Sequence, residues 1–416
     1  MNAKLNAKIN YKKSFVGIML ISAVIWLVCV LFTSLAPRAL QVFYKSGEEL
    51  FYDYYHSIGV AVQSNPYEAI PPQGQDHAYP PLAYAIYSIF RGLVHVDGIY
   101  DFREVGQIAA IRPLTFILYG LYALFAVALF AIVKKQIKTT NLMAGLITLA
   151  FMVSKPMLFA MDRSNIIMLA MLLNTFFIFY HKSDNKIIRE LSLIALAISA
   201  GIKLTTALLG VMLIYDKQWK EAIRTVIYGI VAAVAPFMFF RGGLSLIPMF
   251  LNNINEHLTS YRITDGTVYG CLQHIRKFYD FEFVYQSIKV MSVVGAILVI
   301  LAVPLMKRSW QKILALTMVL VFAPSVSQFY CLIYLTPAII AFLGESEGKG
   351  ASENSVASDL EDKVVFVLLM LLGIMEPKMF LSAIAELLII LYLGLLALME
   401  IKAYITKRFS ARTSCE

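Results

Sequence analysis

Asp53 stands among Phe51, Tyr52, Tyr54 and Tyr55, in the longest polar, turn-rich interval of the N-terminal third. An acid in that company, just beyond an apolar run of membrane length, is costly to keep unless it has work to do. A carboxylate there could take the proton from an attacking hydroxyl, while Arg or Lys stabilised a departing phosphate. The cations are available: Arg163 in Asp162-Arg163-Ser164-Asn165, Lys203 in Gly201-Ile202-Lys203-Leu204-Thr205, then Arg241, Arg262 and Arg276. One or two acids beside several cations is the set that transfer from a phosphate-linked donor needs. His56, Asp76, His77, Asp162, Asn165, His274 and Tyr330 are polar residues expected on the same face.

Each of these has a plainer reading. Asp53 could solvate a juxtamembrane helix, and Tyr52, Tyr54 and Tyr55 read as interface anchors. Asp162-Arg163-Ser164-Asn165 reads as the start of a helix after a turn, with Asp162 or Ser164 as its cap. Arg163 would then answer an anion, or pair with Asp162. Lys203 interrupts Leu191 to Tyr215, too short for two ordinary spans and too long for one. A broken helix pair with the lysine at its apex is the expectation, and snorkelling to the interface the alternative. Asp76, in Gln73-Gly74-Gln75-Asp76, reads as a turn residue. His56 and His77 are too isolated to suggest a metal, and Cys29, Cys271, Cys331 and Cys415 have no metal-ligand spacing.

The scaffold that must position these residues is apolar. With 59% hydrophobic and 15% charged residues among 416, the chain is expected to be an all-α polytopic membrane protein. Ser14 to Ala36 is long enough to span and lacks a small-residue cleavage site, so it reads as a retained helix. Lys4, Lys8, Lys12 and Lys13 before it place the N-terminus in the cytoplasm. About twelve spans, with Pro81 to Val96 as a short interfacial helix anchored by Tyr84, Tyr87 and Phe90, put the basic clusters near 134–138, 182–186, 217–220, 307–308 and 407–408 inside. Asp53 then lies in a functional first extracytoplasmic loop, 37–112, and a second long external loop covers 241–285. Both termini are cytoplasmic and the membrane is the plasma membrane. The expected organisation is a catalytic body over 1–343, a flexible cytoplasmic linker over 344–362, and a C-terminal helical hairpin with a basic tail over 363–416. The net charge of +9 reports topology and does not call for nucleic acid.

Several short stretches, in order, resemble the GT-C membrane glycosyltransferases, family 87 in particular. They are Asp53 after the first helix, Asn65-Pro66-Tyr67, Tyr79-Pro80-Pro81-Leu82, Asp162-Arg163-Ser164-Asn165 and Gly201-Ile202-Lys203-Leu204-Thr205. The similarity runs from about Ser14 to Leu343. It implies a GT-C-like fold and a catalytic base at Asp53, retains Asn165, and maps the lysine of an Ile-Lys-Leu-Thr-Pro motif onto Lys203, with Thr206 in place of proline. Thr267-Val268-Tyr269-Gly270 partly matches a later Asn-Gln-Ser-x-x-Gly motif, with Arg276 nearby. Ala323-Pro324-Ser325-Val326-Ser327-Gln328-Phe329-Tyr330 stands where the family has Ser-Pro-x-Ser-Trp-x-His-His. Its histidines are missing, and Tyr330 or Gln328 would substitute.

The expected activity is therefore an inverting transfer of a hexose, mannose among the options, from a polyprenyl-phosphate donor to a lipid-linked or cell-wall glycan on the extracytoplasmic side. Asp53 is the expected base. Arg163, Lys203 and Arg276 are expected at the donor phosphate, with Arg241 and Arg262 in reserve. His56, Tyr79, Asn165, His274, Gln328 and Tyr330 are expected to touch substrate. No metal or other cofactor is called for, since the departing phosphate needs no protonation. The alternatives are a lipid-linked sugar transporter or flippase, and a glycan polymerase or ligase.

Overall fold

The computed structural model describes residues 9–32, 51–61, 64–68, 78–90, 108–260, 265–276, 282–345, 356–376 and 379–413, and every regular element among them is helical. In chain order the α-helices are α1 (Tyr11–Leu31), α2 (Tyr52–Ala61), α3 (Pro81–Ser88), α4 (Ile108–Ile137), α5 (Asn141–Met152), α6 (Lys155–Arg163), α7 (Ile167–Tyr180) and α8 (Lys186–Ile202). They continue as α9 (Val211–Tyr215), α10 (Trp219–Val234), α11 (Ile247–Ser260), α12 (Val268–Ile275), α13 (Glu282–Ala302), α14 (Ser309–Phe322), α15 (Thr336–Glu345), α16 (Val356–Gly373) and α17 (Phe380–Thr413). Short 3-10 turns, Leu204–Gly210 and Phe329–Leu335 among them, join some of these.

Five of the described helical segments are long and apolar enough to cross a membrane: Tyr11–Leu31, Leu114–Ile137, Trp219–Phe239, Glu282–Leu305 and Phe380–Arg408. α5 and α6 would make a sixth span, but they bend by 61° at the break between them. The bend has a local cause. Ser154-Lys155-Pro156 ends one hydrogen-bonded ladder and restarts another, with proline in the first turn of α6, where its missing N–H costs nothing. The run Met143 to Ala160, which reads as one straight span, is thus two helices. Apolar helices of 10–17 residues, such as Ile167–Tyr180 and Ser309–Phe322, fill the interior, where neighbouring helices and not lipid surround them.

Three sequence expectations are corrected here. First, the stretch 241–285 contains α11 and α12 among its described residues, so it is not simply a polar loop. Second, four aromatics of α2 and α3 are core residues and not interface anchors, while Tyr52 is half-buried and lines a cavity. Tyr54, Tyr55, Tyr84 and Tyr87 are all buried, and the Tyr55 hydroxyl lies 2.6 Å from Thr115 Oγ1. An amphipathic ring can bury its face once its hydroxyl has a partner. Third, α15 runs through Gly344 and Glu345 and α16 begins at Val356, so both described ends of the supposed linker are helical, and 346–355 lie outside the described residues.

The C-terminal helices are built into the body. Arg308, before α14, forks onto the Asp362 carboxylate of α16. Lys155 at the start of α6 is fully buried, donates to the Glu376 carbonyl at 3.1 Å and lies 3.6 Å from its carboxylate. Glu376 in turn accepts from the Leu381 and Ser382 amides at the start of α17. Buried charges are tolerable only when paired in this way.

Candidate active site

The Asp53 carboxylate is positioned by two turns that meet. α2 opens on Phe51, whose φ of 59° is left-handed, and the Phe51 amide donates to the Asp162 carbonyl at 2.7 Å. On the other side α6 ends at Arg163, and Ser164 reverses the chain with a φ of 50°. Non-glycine residues pay for that conformation, and two such residues on either side of one carboxylate mark a site where geometry outweighs local comfort. Asp162-Arg163 therefore closes a helix and does not start one. Asn165 turns the chain into α7: its Oδ1 accepts from the Ile167 amide at 3.0 Å.

That bond fixes which way the Asn165 amide faces, and its NH₂ is left for the site. Nδ2 lies 2.6 Å from Asp53 Oδ2, 2.8 Å from the Tyr79 hydroxyl and 3.3 Å from the Tyr330 hydroxyl. Arg163 Nη2 donates to the other Asp53 oxygen at 2.5 Å, and the guanidinium lies over the Tyr52 ring. The carboxylate and the guanidinium are 12% and 9% exposed. Each carboxylate oxygen thus accepts one short, charge-assisted bond and retains a second lone pair. As the acid in the first turn of α2, Asp53 also gains from the helix dipole.

Tyr79 is held by the Asn65-Pro66-Tyr67 turn. Asn65 Oδ1 accepts from the Tyr67 amide at 3.0 Å, Tyr67 packs among Tyr84, Phe237 and Phe250, and its hydroxyl donates to the Tyr79 carbonyl at 3.1 Å. Part of Tyr79 faces open space, yet its burial, and then Asp53 and Tyr330, push the phenol well above its usual value. Its hydroxyl accepts from Asn165 and keeps its own proton to donate. Over the Tyr79 ring, at 4.4 Å from its centre, lies the Lys203 ammonium.

Lys203 sits at a true break. Its backbone is extended, its amide closes α8 on the Ser199 carbonyl, and its carbonyl accepts from both the amide and the hydroxyl of Thr206. The broken pair with a lysine at its apex is therefore borne out. Gly201 makes the approach possible: a Cβ there would lie 2.7 Å from a Leu82 methyl of α3 and 3.0 Å from the Ala232 carbonyl of α10.

These elements surround a cavity of about 380 Å³, within the range of small-molecule sites. Asp53, His56, Tyr79, Arg163, Lys203, Gln328 and Tyr330 line it, and Asn165 lies against it through its three hydrogen bonds. Other expected residues are elsewhere. Arg241 and Arg276 are exposed and line no part of this cavity, and His274 pairs with Asp265 at 3.1 Å. The reason is local: Arg276 closes the C-terminal end of α12, and Arg241 uses its amide to hold the Ser64 carbonyl. Arg262, Asp76 and His77 lie outside the described residues. His257, Ser57, Thr205, Ser327 and Tyr334 line the cavity and were not singled out from the sequence. His257 carried a signal, since Ile247, Phe250, Ile254 and Leu258 recur at helical spacing and put Ile254, His257 and Leu258 on one side of α11.

The profile of glycosyltransferase family 87 matches residues 77–333, more than half of the chain. The chain belongs to glycosyltransferase family 87. No curated protein sequence matches it. The family span contains Tyr79, Arg163, Asn165, Lys203, Gln328 and Tyr330, whereas Asp53 precedes it and joins it through Arg163 and Asn165. A family 87 transferase must bring a sugar donor and an acceptor together, and this cavity is lined by a carboxylate, Asp53, and a cation, Lys203.

Proposed function

We propose that this family 87 enzyme transfers a hexose from a polyprenyl-phosphate donor to a hydroxyl of a lipid-linked or cell-wall glycan, at the extracytoplasmic face of the plasma membrane. The observation that carries the proposal is the meeting of Asp53 with Lys203 and Arg163 around one cavity, between helices apolar enough to lie in a membrane. On this reading the fold class is GT-C-like, with about twelve spans.

In the reaction the acceptor oxygen attacks the anomeric carbon and the bond from that carbon to the phosphate oxygen breaks. The acceptor proton passes to Asp53, and the electron pair leaves with the polyprenyl phosphate. Attack opposite the departing phosphate inverts the anomeric centre in one displacement. Lys203 is the cation assigned to the leaving phosphate, whose charge grows as the bond breaks. Arg163 is reassigned from the phosphate to Asp53: its guanidinium holds the carboxylate in orientation. No metal or cofactor is assigned a step, because a phosphate monoester departs without protonation and a single base suffices.

The deciding experiment incubates the purified protein with polyprenyl phosphates carrying different labelled hexoses, mannose first, together with a membrane glycolipid extract. A transferase releases polyprenyl phosphate and labels a glycan. If every donor is recovered intact, the donor class is wrong.

A further inference from the structure

The Asp53 ledge and Lys203 account for the base and the phosphate, but a third part of the cavity wall remains. It comes from the stretch that enters and forms the 3-10 turn Phe329–Leu335, and it is joined to the Asp53 cluster through Tyr330. Three of its side chains, Ser327, Gln328 and Tyr334, are 2%, 8% and 3% exposed and all line the cavity. Among the described residues Gln328 Oε1 and the Tyr334 hydroxyl have no hydrogen-bond partner, and Ser327 Oγ has no partner better than the nearby thiol of Cys331, a weak donor. Buried polar atoms are nearly always satisfied, so three such atoms on one wall require an explanation.

The wall is also built closely. The Gly266 amide donates to the Ser327 carbonyl at 3.0 Å, and a Cβ at Gly266 would meet Ser327 Oγ at 2.7 Å and the Gln328 carbonyl at 2.9 Å. Backbone packed this tightly holds Ser327 and Gln328 in place without spending their side chains.

The chemistry of the three atoms selects among ligands. Gln328 Oε1 can only accept, and none of the three residues carries positive charge, so this wall offers a phosphate no counter-charge. Two hydroxyls, each donor and acceptor, beside one pure acceptor match the ring hydroxyls of a sugar. Resting on the transferase reading above, we propose that Ser327 Oγ, Gln328 Oε1 and the Tyr334 hydroxyl bind the ring hydroxyls of the transferred sugar, and so select which sugar this enzyme moves. A site built to hydrogen-bond a hydroxyl rejects an analogue lacking it far more strongly than an apolar pocket rejects a missing methylene.

The test uses citronellyl-phosphate donors of mannose, glucose and galactose, and then the single-deoxy forms of whichever sugar the wild-type enzyme transfers best. On that sugar, Ser327→Ala, Gln328→Met and Tyr334→Phe are each expected to lower kcat/KM by on the order of 10- to 100-fold, the cost of leaving a substrate hydroxyl unpaired. Each loss should vanish on one particular deoxy donor, a different one for each variant. The wild-type enzyme with the same deoxy donors makes the same cut without altering the protein, and should show the same losses even if a variant fails to fold. Equal losses on parent and deoxy donors alike, or wild-type indifference to every deoxy position, would overturn the sugar wall while leaving the transferase standing. Failure of the wild-type enzyme to transfer from any donor would instead remove the polyprenyl-phosphate reading, and this inference with it.

Discussion

At the scale of single residues, Arg163 and Lys203 carry equal charge and face one cavity, but their surroundings give them different duties. Arg163 is paired with a nearly buried carboxylate, so removing it strands that charge. Arg163→Met is expected to cost about 3–5 kcal/mol of stability as well as activity, read as a fall in Tm of the purified protein. Lys203 rests on an aromatic face at a helix break. Lys203→Met is expected to leave Tm nearly unchanged and to cut turnover about tenfold or more, since a charge-assisted contact is worth roughly 1.5–3 kcal/mol. Normal turnover in that variant would return the lysine to the snorkelling role and send the search for the phosphate site elsewhere.

At the scale of elements, the site depends on α8 lying close against α3 and α10 at Gly201. Gly201→Val should force those helices apart, costing about 1–3 kcal/mol and moving Lys203 two residues on. Gly145→Ala, in the interior of α5 with open space around it, should instead stabilise by about 0.5–1 kcal/mol. Thermal unfolding and kcat/KM of the two variants check both signs; a harmless Gly201→Val would mean that the close approach does not govern the site. The break at Lys203 was legible because a lone cation in an apolar run demands one. Asp53, Asn165 and Tyr79 were legible through short motifs, but that Asn165 Nδ2 reaches all three oxygens was not, since it depends on a left-handed turn at Ser164. Arg241, Arg276 and His274 have the right side chains in a region that reads as loop, and only the folded α11 and α12 reveal that they face away. The same misreading hid His257. Tyr54, Tyr55, Tyr84 and Tyr87 looked interfacial because composition cannot tell a ring buried against protein from one buried in headgroups.

At the scale of the whole molecule, the apolar surface left on α1, α10 and α13 gives the protein its membrane, and the buried pairs Lys155–Glu376 and Arg308–Asp362 tie the last two helices to the body. The proposed topology, with both termini inside, predicts that a membrane-impermeant thiol reagent applied to intact cells reaches Asp265→Cys and not Gln136→Cys, in a background whose accessible cysteines are replaced. Labelling at 136 would place the cavity on the opposite side of the membrane. The central claim, that Asp53 takes the proton while a polyprenyl phosphate departs, is tested most directly by single-turnover transfer with Asp53→Asn. Asparagine keeps the size of the side chain but cannot accept the proton. Release of polyprenyl phosphate should fall by at least ~10²-fold while the donor still binds, because general-base catalysis is worth about 10²–10⁴-fold. Transfer at the wild-type rate by a folded Asp53→Asn enzyme would contradict the account.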